Sequence, residues 1–437
     1  MRDRPRRTRR AVMTHLMALQ PPRQGQAAFS PEFDPRRSPR VFLYSHDTFG
    51  LGHLRRNLAI ATALLDHPAR FAVTLMTGSP VIDSWKLPRG LRVQPLPPVV
   101  KTGAETYAAR GSDTPFGLVK GYREALILRL ILRHRPDILL VDHAPSGMNG
   151  ELLASLAMIR REMPETRTVL GLRDILDSPD AVAKIWREQD IQGVLDHAYD
   201  DILVYGSRRL FDVADAYAMS AKSAAKLRYC GHVVARAAAV GAAGPVCWNP
   251  ARAAGRQVVL VTAGGGGDGF ALMQAWLDAL RRLPPGRLHS VIVTGPLMDN
   301  DQAAALRAAA ARRHDIELIE RSTDLVPSLA RADAVIAMAG YNTSAELIAC
   351  GTRAILVPRA APRAEQRMRA ELLDRLGLVR HVPPGEGLDA RLADALPALL
   401  AAPRPIVEAS GLDLGGAARV AAFLAERTTA RVAEVLA

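Results

Sequence analysis

Cysteine is scarce: three residues in 437, Cys230, Cys247 and Cys350. They are odd in number, far apart and at no metal-binding spacing, which excludes a disulfide framework and a cysteine metal site and leaves reduced thiols as the expectation. Aromatic residues make up only 5% of the chain, too few for the stacking platforms that hold single-stranded nucleic acid. No apolar run reaches the ~18 residues of a membrane span; "ALILRLIL" at 125–132 is broken by Arg129. The absence of Gly-Lys-Ser/Thr removes the standard P-loop. Lysine is rare as well, six against 51 arginines, a composition bias with little functional content.

Positive charge is present, and its location matters. Of the net +13, +7 lies in residues 1–40, where ten arginines face only Asp3, Glu32 and Asp34. That segment is rich in proline and glutamine and has no periodicity, so residues 1–38 are expected to form a disordered basic tail. The rest of the chain carries +6, unremarkable for an enzyme, and no nucleic-acid partner is expected. The N-terminus is too arginine-rich, with too short an apolar stretch, for a secretory signal. A cytoplasmic location follows as the expectation. The tail and "LILRLILRHR" at 126–135 leave room for contact with anionic lipid at the inner membrane surface.

At 437 residues the chain exceeds what one core usually supports, and 49% apolar content fills two. From Arg40 onward, short apolar runs alternate with helical patterns. Strands are expected at 41–45, 71–76, 91–96, 137–142, 167–172, 202–205 and 227–230, and helices at 53–66, 116–134, 148–162 and 180–198. The pattern lapses into Ala, Gly and Pro over 236–256, the expected linker. It resumes with strands at 257–262, 289–294, 316–319, 334–338 and 354–357. The second set of helices is expected at 270–282, 301–313, 341–350, 365–376, 390–401 and in the closing stretch. The fold class is therefore α/β, with two doubly wound domains, 39–235 and 257–437, and ligands at the carboxyl ends of the strands, facing a central cleft. The last helix is expected to return to the first domain.

Four stretches carry chemistry. In "TAGGGGDGF", 262–270, an apolar strand runs into Gly264, Gly265, Gly266 and Gly267 before a helix, which lets backbone N–H groups approach a phosphate. Gly264, Gly266 and Gly269 also satisfy G-x-G-x-x-G. The acid that a dinucleotide site places about 20 residues on is missing, since the next strand ends Thr294-Gly295-Pro296. In "MAGYNTSAELIACGTRAILVP", 338–358, Glu346 is expected in the first turn of a helix after Gly340, placed to accept hydrogen bonds from vicinal ribose hydroxyls. The alternative is a capping box in which Glu346 returns to the backbone of Thr343. In "VPRAAPRAEQRMRAELLDRLG", 357–377, Glu365 and Gln366 lead a helix and offer hydrogen bonds to sugar hydroxyls. The fourth stretch, "YSHDTFGLGHLRRN" at 44–57, spends Gly50, Gly52 and His53 on a turn between a strand and a helix.

In this order the stretches resemble family 28 glycosyltransferases, clearest over 257–380. The resemblance implies the GT-B fold, a UDP-sugar donor bound by the second domain, an acceptor bound by the first, and an inverting transfer with no cofactor and no obligatory metal. It implies a glycan or lipid-linked acceptor. It gives Gly265 to Gly267 the diphosphate, Glu346 the ribose, and Gln366, with Glu365 where the family has a first Gln, the donor sugar. Arg369 replaces the family's Asn, so sugar identity does not transfer. Gly340 and Thr343 belong to the ribose turn. In the first domain, Gly50, Gly52 and His53 correspond to the family's Gly-Gly-His, with His53 as the expected base.

Alternatives remain open at this level. Asp47 is an orienting carboxylate or a rival base. Asp142 and His143 of "VDHAPSG", and Arg173-Asp174 of "LRD", follow the strand-end rule as well. Arg55 and Arg56 are expected to offset phosphate charge, with an exposed helix face the alternative for one of them. "MDNDQ" holds a D-x-D pattern, Asp299 and Asp301, for which a helix cap by Asp301 is favoured over a metal site. A UDP-sugar 2-epimerase shares the architecture, but its "G-T-R-P-E" is absent. A non-catalytic nucleotide-sugar sensor would not need His53.

Overall fold

The structure is a computed structural model and describes residues 38–46, 51–101, 106–234, 254–320, 322, 324–361 and 363–436. The expected tail, apart from Ser38, and the expected linker, apart from Ala254, Gly255 and Arg256, lie outside these residues, as do Asp47 and Gly50. The strands in chain order are β1 (Arg40–Tyr44), β2 (Ala72–Thr77), β3 (Arg92–Pro95), β4 (Val99–Lys101), β5 (Tyr107–Ala109), β6 (Ile138–Asp142), β7 (Arg167–Arg173), β8 (Asp201–Tyr205) and β9 (Leu227–Tyr229). There follow β10 (Gln257–Thr262), β11 (Leu288–Val293), β12 (Ile316–Ile319), β13 (Ala334–Ala337), β14 (Ala354–Leu356) and β15 (Arg380–His381). Helices that bear on the site are α1 (Gly52–Leu65), α2 (Phe116–His134), α3 (Phe270–Ala279), α4 (Asn300–Ala310), α5 (Tyr341–Ala349), α6 (Glu365–Arg375) and α7 (Gly416–Leu436).

Two parallel sheets result, in the order β3-β2-β1-β6-β7-β8-β9 and β12-β11-β10-β13-β14-β15. Their strands are apolar on both faces because helices cover both. β6 and β8 are buried at every position. Alternation along β1 divides the first core: Val41 and Leu43 pack with Leu54, Ile60 and Leu64 of α1, whereas Phe42 and Tyr44 pack with Ile127 and Ile131 of α2. Val420, Ala421 and Leu424 of α7 are buried in the same cluster as Val41 and Leu43, so the end of the chain covers the first domain. In each sheet the order reverses beside the first strand, between β1 and β6 and between β10 and β13. The loops after those four strands are therefore forced apart, and they open a crevice at the carboxyl edge.

Some details differ from the periodicity. The helix expected over 180–198 is two, Pro179–Glu188 and Ile191–Ala198, because Asp190 is left-handed (φ 47°) between them. The helix expected from 148 begins at Leu153, after Asn149 and Gly150 take positive φ. The antiparallel β4–β5 ribbon and the two-residue β15 are too short to leave a repeat in the sequence.

Candidate active site

Each crevice is occupied by residues from the predicted stretches, and the two crevices face each other. One cleft of about 200 Å³ is lined by Gly52 and His53 from the first domain and by Gly264, Gly265, Gly340, Thr343, Glu346, Glu365 and Gln366 from the second. Hydrogen bonds cross between the domains at its edge: Asn342 Nδ2 donates to Gly52 O (2.8 Å), and Val233 N–H to the Tyr341 hydroxyl (2.9 Å).

His53 sits in the first turn of α1, just past the β1 loop. Its Nδ1 lies 2.6 Å from Asp142 Oδ2, at the end of β6. Asp142 is also gripped by Arg56, through Nε to Oδ1 (2.9 Å) and Nη2 to Oδ2 (2.8 Å). Burial raises the Asp142 pKa, but Arg56 and His53 outweigh it and hold the carboxyl at about 2. The carboxylate is therefore ionised and only accepts, so Nδ1 must carry the proton and Nε2 is left with its lone pair. Burial lowers the His53 pKa to about 4 against the opposing pull of Asp142, with Arg56 and Arg173 adding to the decrease. The imidazole is neutral over the physiological range. With both oxygens engaged and its pKa depressed, Asp142 has little basicity to offer an acceptor. Arg56 itself is sandwiched, 5.4 Å from the Tyr341 ring centroid and 5.7 Å from that of Tyr205.

His143, the other strand-end candidate, has a positive φ of 70° and a ring centroid 5.3 Å from that of His53. Its Nε2 lies 3.3 Å from Arg173 Nη2. Burial, then Arg173, pushes its pKa well below the usual value, so it stays neutral. Asp174 points elsewhere. It accepts from Arg369 Nη2 (3.0 Å) with both side chains buried, a tie between the domains.

In the glycine turn, Gly264 and Gly266 have positive φ (65° and 94°), where only glycine is unstrained. A Cβ on Gly266 would lie 2.1 Å from Thr294 O, so this glycine permits the turn to press on the end of β11. Gly267 has more room, 3.7 Å to its nearest neighbour. Neither of these two glycines lines the cleft, whereas Gly264, Gly265 and Asp268 do. The N–H groups of Gly265 and Asp268 have no partner among the described residues. They precede α3, whose dipole favours negative charge at this end.

Glu346 is buried and paired with Arg55 of α1, across the domain boundary. The capping-box alternative fails: the N-cap of α5 is Gly340, Thr343 lies inside the helix, and Glu346 is in its second turn instead of the first. Burial raises the Glu346 pKa and Arg55 opposes that. Glu365 accepts from Arg359 Nη2 (2.6 Å), and Gln366 Oε1 accepts from Arg359 N–H (3.1 Å). Arg55 and Arg56, expected to meet phosphate, are both held by carboxylates, and neither lies on a solvated face. Asp299, not Asp301, caps α4, accepting from the N–H groups of Asp301 and Gln302 (3.0 and 3.2 Å). Sequence reasoning missed Arg359, because a lone arginine before a helix carries no spacing signal, and it ranked Arg173 low for the same reason.

Residues 258–407 match the glycosyltransferase family 28 C-terminal domain. The second domain of this chain is thus similar to the C-terminal domain of that family. A relative from Rhodopseudomonas palustris, named UDP-N-acetylglucosamine--N-acetylmuramyl-(pentapeptide) pyrophosphoryl-undecaprenol N-acetylglucosamine transferase, is 28% identical over 270 residues, which is 60% of this chain and 71% of the relative. A protein of the same name from Sorangium cellulosum is 35% identical over 140 residues, 30% of this chain and 32% of that one. The crystal structure of Acinetobacter baumannii MurG superposes with a TM-score of 0.55 at 15% identity, covering 89% of this chain and 99% of the other. Together they establish a glycosyltransferase with the GT-B fold. Its two parallel sheets are the two Rossmann-like halves of that fold, and the cleft that holds His53 is lined from both.

Proposed function

We propose that this glycosyltransferase moves a hexose-type sugar from a UDP-sugar to an acceptor hydroxyl, with inversion and without an obligatory metal. The observation that carries the reading is a neutral imidazole locked by Asp142 in the same cleft as the Gly264–Gly265 turn and Glu346. The UDP diphosphate rests against the N–H groups at Gly265 and Asp268, and Glu346 takes the ribose hydroxyls. The acceptor oxygen attacks the anomeric carbon as the bond to the diphosphate oxygen breaks. The acceptor proton passes to His53 Nε2. Asp142 stabilises the imidazolium that forms, and Arg56 keeps Asp142 in place. Charge developing on the departing UDP meets backbone dipoles that need not reorganise.

The names of these relatives include pyrophosphoryl-undecaprenol, which supports a lipid-linked glycan acceptor and work at the inner membrane face. Among the described residues no helix is long and apolar enough to cross a membrane, so contact with lipid would be peripheral. A purely ligand-sensing protein has no use for a His53–Asp142 pair, which favours the enzyme. The test is calorimetry of UDP binding. Replacing Glu346 with Ala removes charge-assisted hydrogen bonds worth roughly 1.5–3 kcal/mol, so Glu346→Ala is expected to weaken UDP at least tenfold. Unchanged affinity would remove Glu346 from the nucleotide site. Activity is expected to survive EDTA, and a strict requirement for added Mg²⁺ or Mn²⁺ would contradict the metal-independent step.

A further inference from the structure

Arg359 lines the cleft just beyond β14, between the glycine turn and the start of α6. Its Nη2 donates to Glu365 Oε1 at 2.6 Å, and its backbone N–H donates to Gln366 Oε1 at 3.1 Å, so α6 fixes both its main chain and one edge of the guanidinium. The other edge is held differently. Nη1 meets Asp268 Oδ2 at 3.3 Å, in a contact open to solvent, longer than the ~2.7–2.9 Å of a close charge-assisted hydrogen bond. The Asp268 side chain is 35% exposed and that of Glu365 only 3%. Burial raises the Glu365 pKa, but Arg359 and then Arg173 outweigh it, so the anchoring carboxylate stays ionised. One edge of Arg359 is anchored and the other is loosely held.

The charge around the turn is also unbalanced. Two carboxylates face one guanidinium, beside the N–H groups of Gly265 and Asp268 that carry the phosphate reading. Among the described residues, Arg359 is the one cation paired with a residue of that turn. An incoming diphosphate is repelled by the Asp268 carboxylate and attracted by Arg359. An exchange of partners removes the conflict.

We infer that Arg359 is the cation that receives the sugar-bearing phosphate: Nη1 leaves Asp268 for an oxygen of the β-phosphate, while Nη2 stays on Glu365. The inference rests on the reading of the cleft as a nucleotide-sugar site. Its position follows from its two partners. Asp268 belongs to the turn that meets the diphosphate and Glu365 to the helix start expected at the sugar, so a group bonded to both stands at the sugar–phosphate junction. As the bond between the anomeric carbon and the β-phosphate oxygen breaks, its electron pair stays on that oxygen. The guanidinium faces the charge that appears there, already held in place by α6.

UDP is the departing group and UMP lacks the β-phosphate, so their affinities read this contact without an acceptor. Calorimetry compares wild type, Arg359→Met, Arg359→Lys and Asp268→Asn with both nucleotides. Arg359→Met is expected to weaken UDP roughly tenfold or more and UMP by less than about threefold. Arg359→Lys should restore part of the difference as a point charge. Asp268→Asn keeps its backbone N–H and loses the competing charge, so UDP should tighten by about threefold or more. Should the Met variant not fold, the Lys and Asn variants decide. An Arg359→Met protein that weakens UDP and UMP equally, or neither, overturns the inference, and with a lowered thermal midpoint it marks Arg359 as a brace for α6 alone. Asp268→Asn with unchanged or lower UDP affinity overturns it too, as does wild type that binds UDP no better than UMP. Wild type that binds neither nucleotide overturns the functional reading itself, and this inference with it.

Discussion

At the scale of single residues, the account turns on which nitrogen of His53 carries its proton. Asp142 and Arg56 settle that by geometry, and burial settles the charge. With the folded pKa at about 4, His53 remains a competent base well below the ordinary value for histidine. The acid limb of the kcat/KM profile for UDP release is therefore expected near pH 4, and a limb at 6–7 would place the working base elsewhere. Stability runs in the same direction. Between pH 6.5 and about 4 the unfolded chain binds the His53 proton more readily than the folded one. The stability associated with the neutral ring is thus complete above 6.5 and is lost as pH falls through that window. The histidine was legible from its Gly-x-Gly-His setting, but its partner was not. Asp142 lies 89 residues away, and only the pairing of β1 with β6 brings the two strand ends side by side.

Elements position these residues through sheet order, and much of that order was readable. Apolar strand runs alternating with helical patterns implied parallel sheets, and glycine clusters marked the two loops that open at the reversals of order. Glycine spacing alone did not say what each glycine does. Gly266 is pressed on the carbonyl of Thr294 at φ 94°, whereas a Cβ on Gly267 would make only an ordinary contact, 3.7 Å from Leu297 O. Gly266→Ala is accordingly expected to lower the thermal midpoint by several degrees and to weaken UDP, because the turn must shift. Gly267→Ala should change the midpoint by about a degree or less. Equal effects from the two would mean that the turn is not packed as described. The start of α5 was read correctly at 341, and it is this start that defeats the capping-box alternative: Thr-Ser-Ala-Glu has the spacing, yet Thr343 already lies inside the helix that Gly340 caps.

For the whole molecule, the two domains meet through buried charge as well as through the returning α7. Arg369 joins Asp174 across the boundary, with His232 Nε2 3.6 Å from the same carboxylate. A sequence shows that arginine as a departure from a family motif and cannot show its partner, 195 residues away. Arg369→Leu leaves Asp174 buried with only His232 and the Ile175 N–H beside it, and losing one partner of a buried pair costs up to about 3–5 kcal/mol, so a marked loss of thermal stability is expected. Adding Asp174→Leu should restore part of it, and a silent Arg369→Leu would show that the tie contributes nothing. The central claim is that a nucleotide-sugar held by the second domain reacts at an imidazole carried by the first. Its most direct test is UDP release from a saturating UDP-sugar by wild type and by His53→Ala. The account predicts a fall of roughly 10²–10⁴-fold with UDP affinity unchanged; release at the wild-type rate would contradict it.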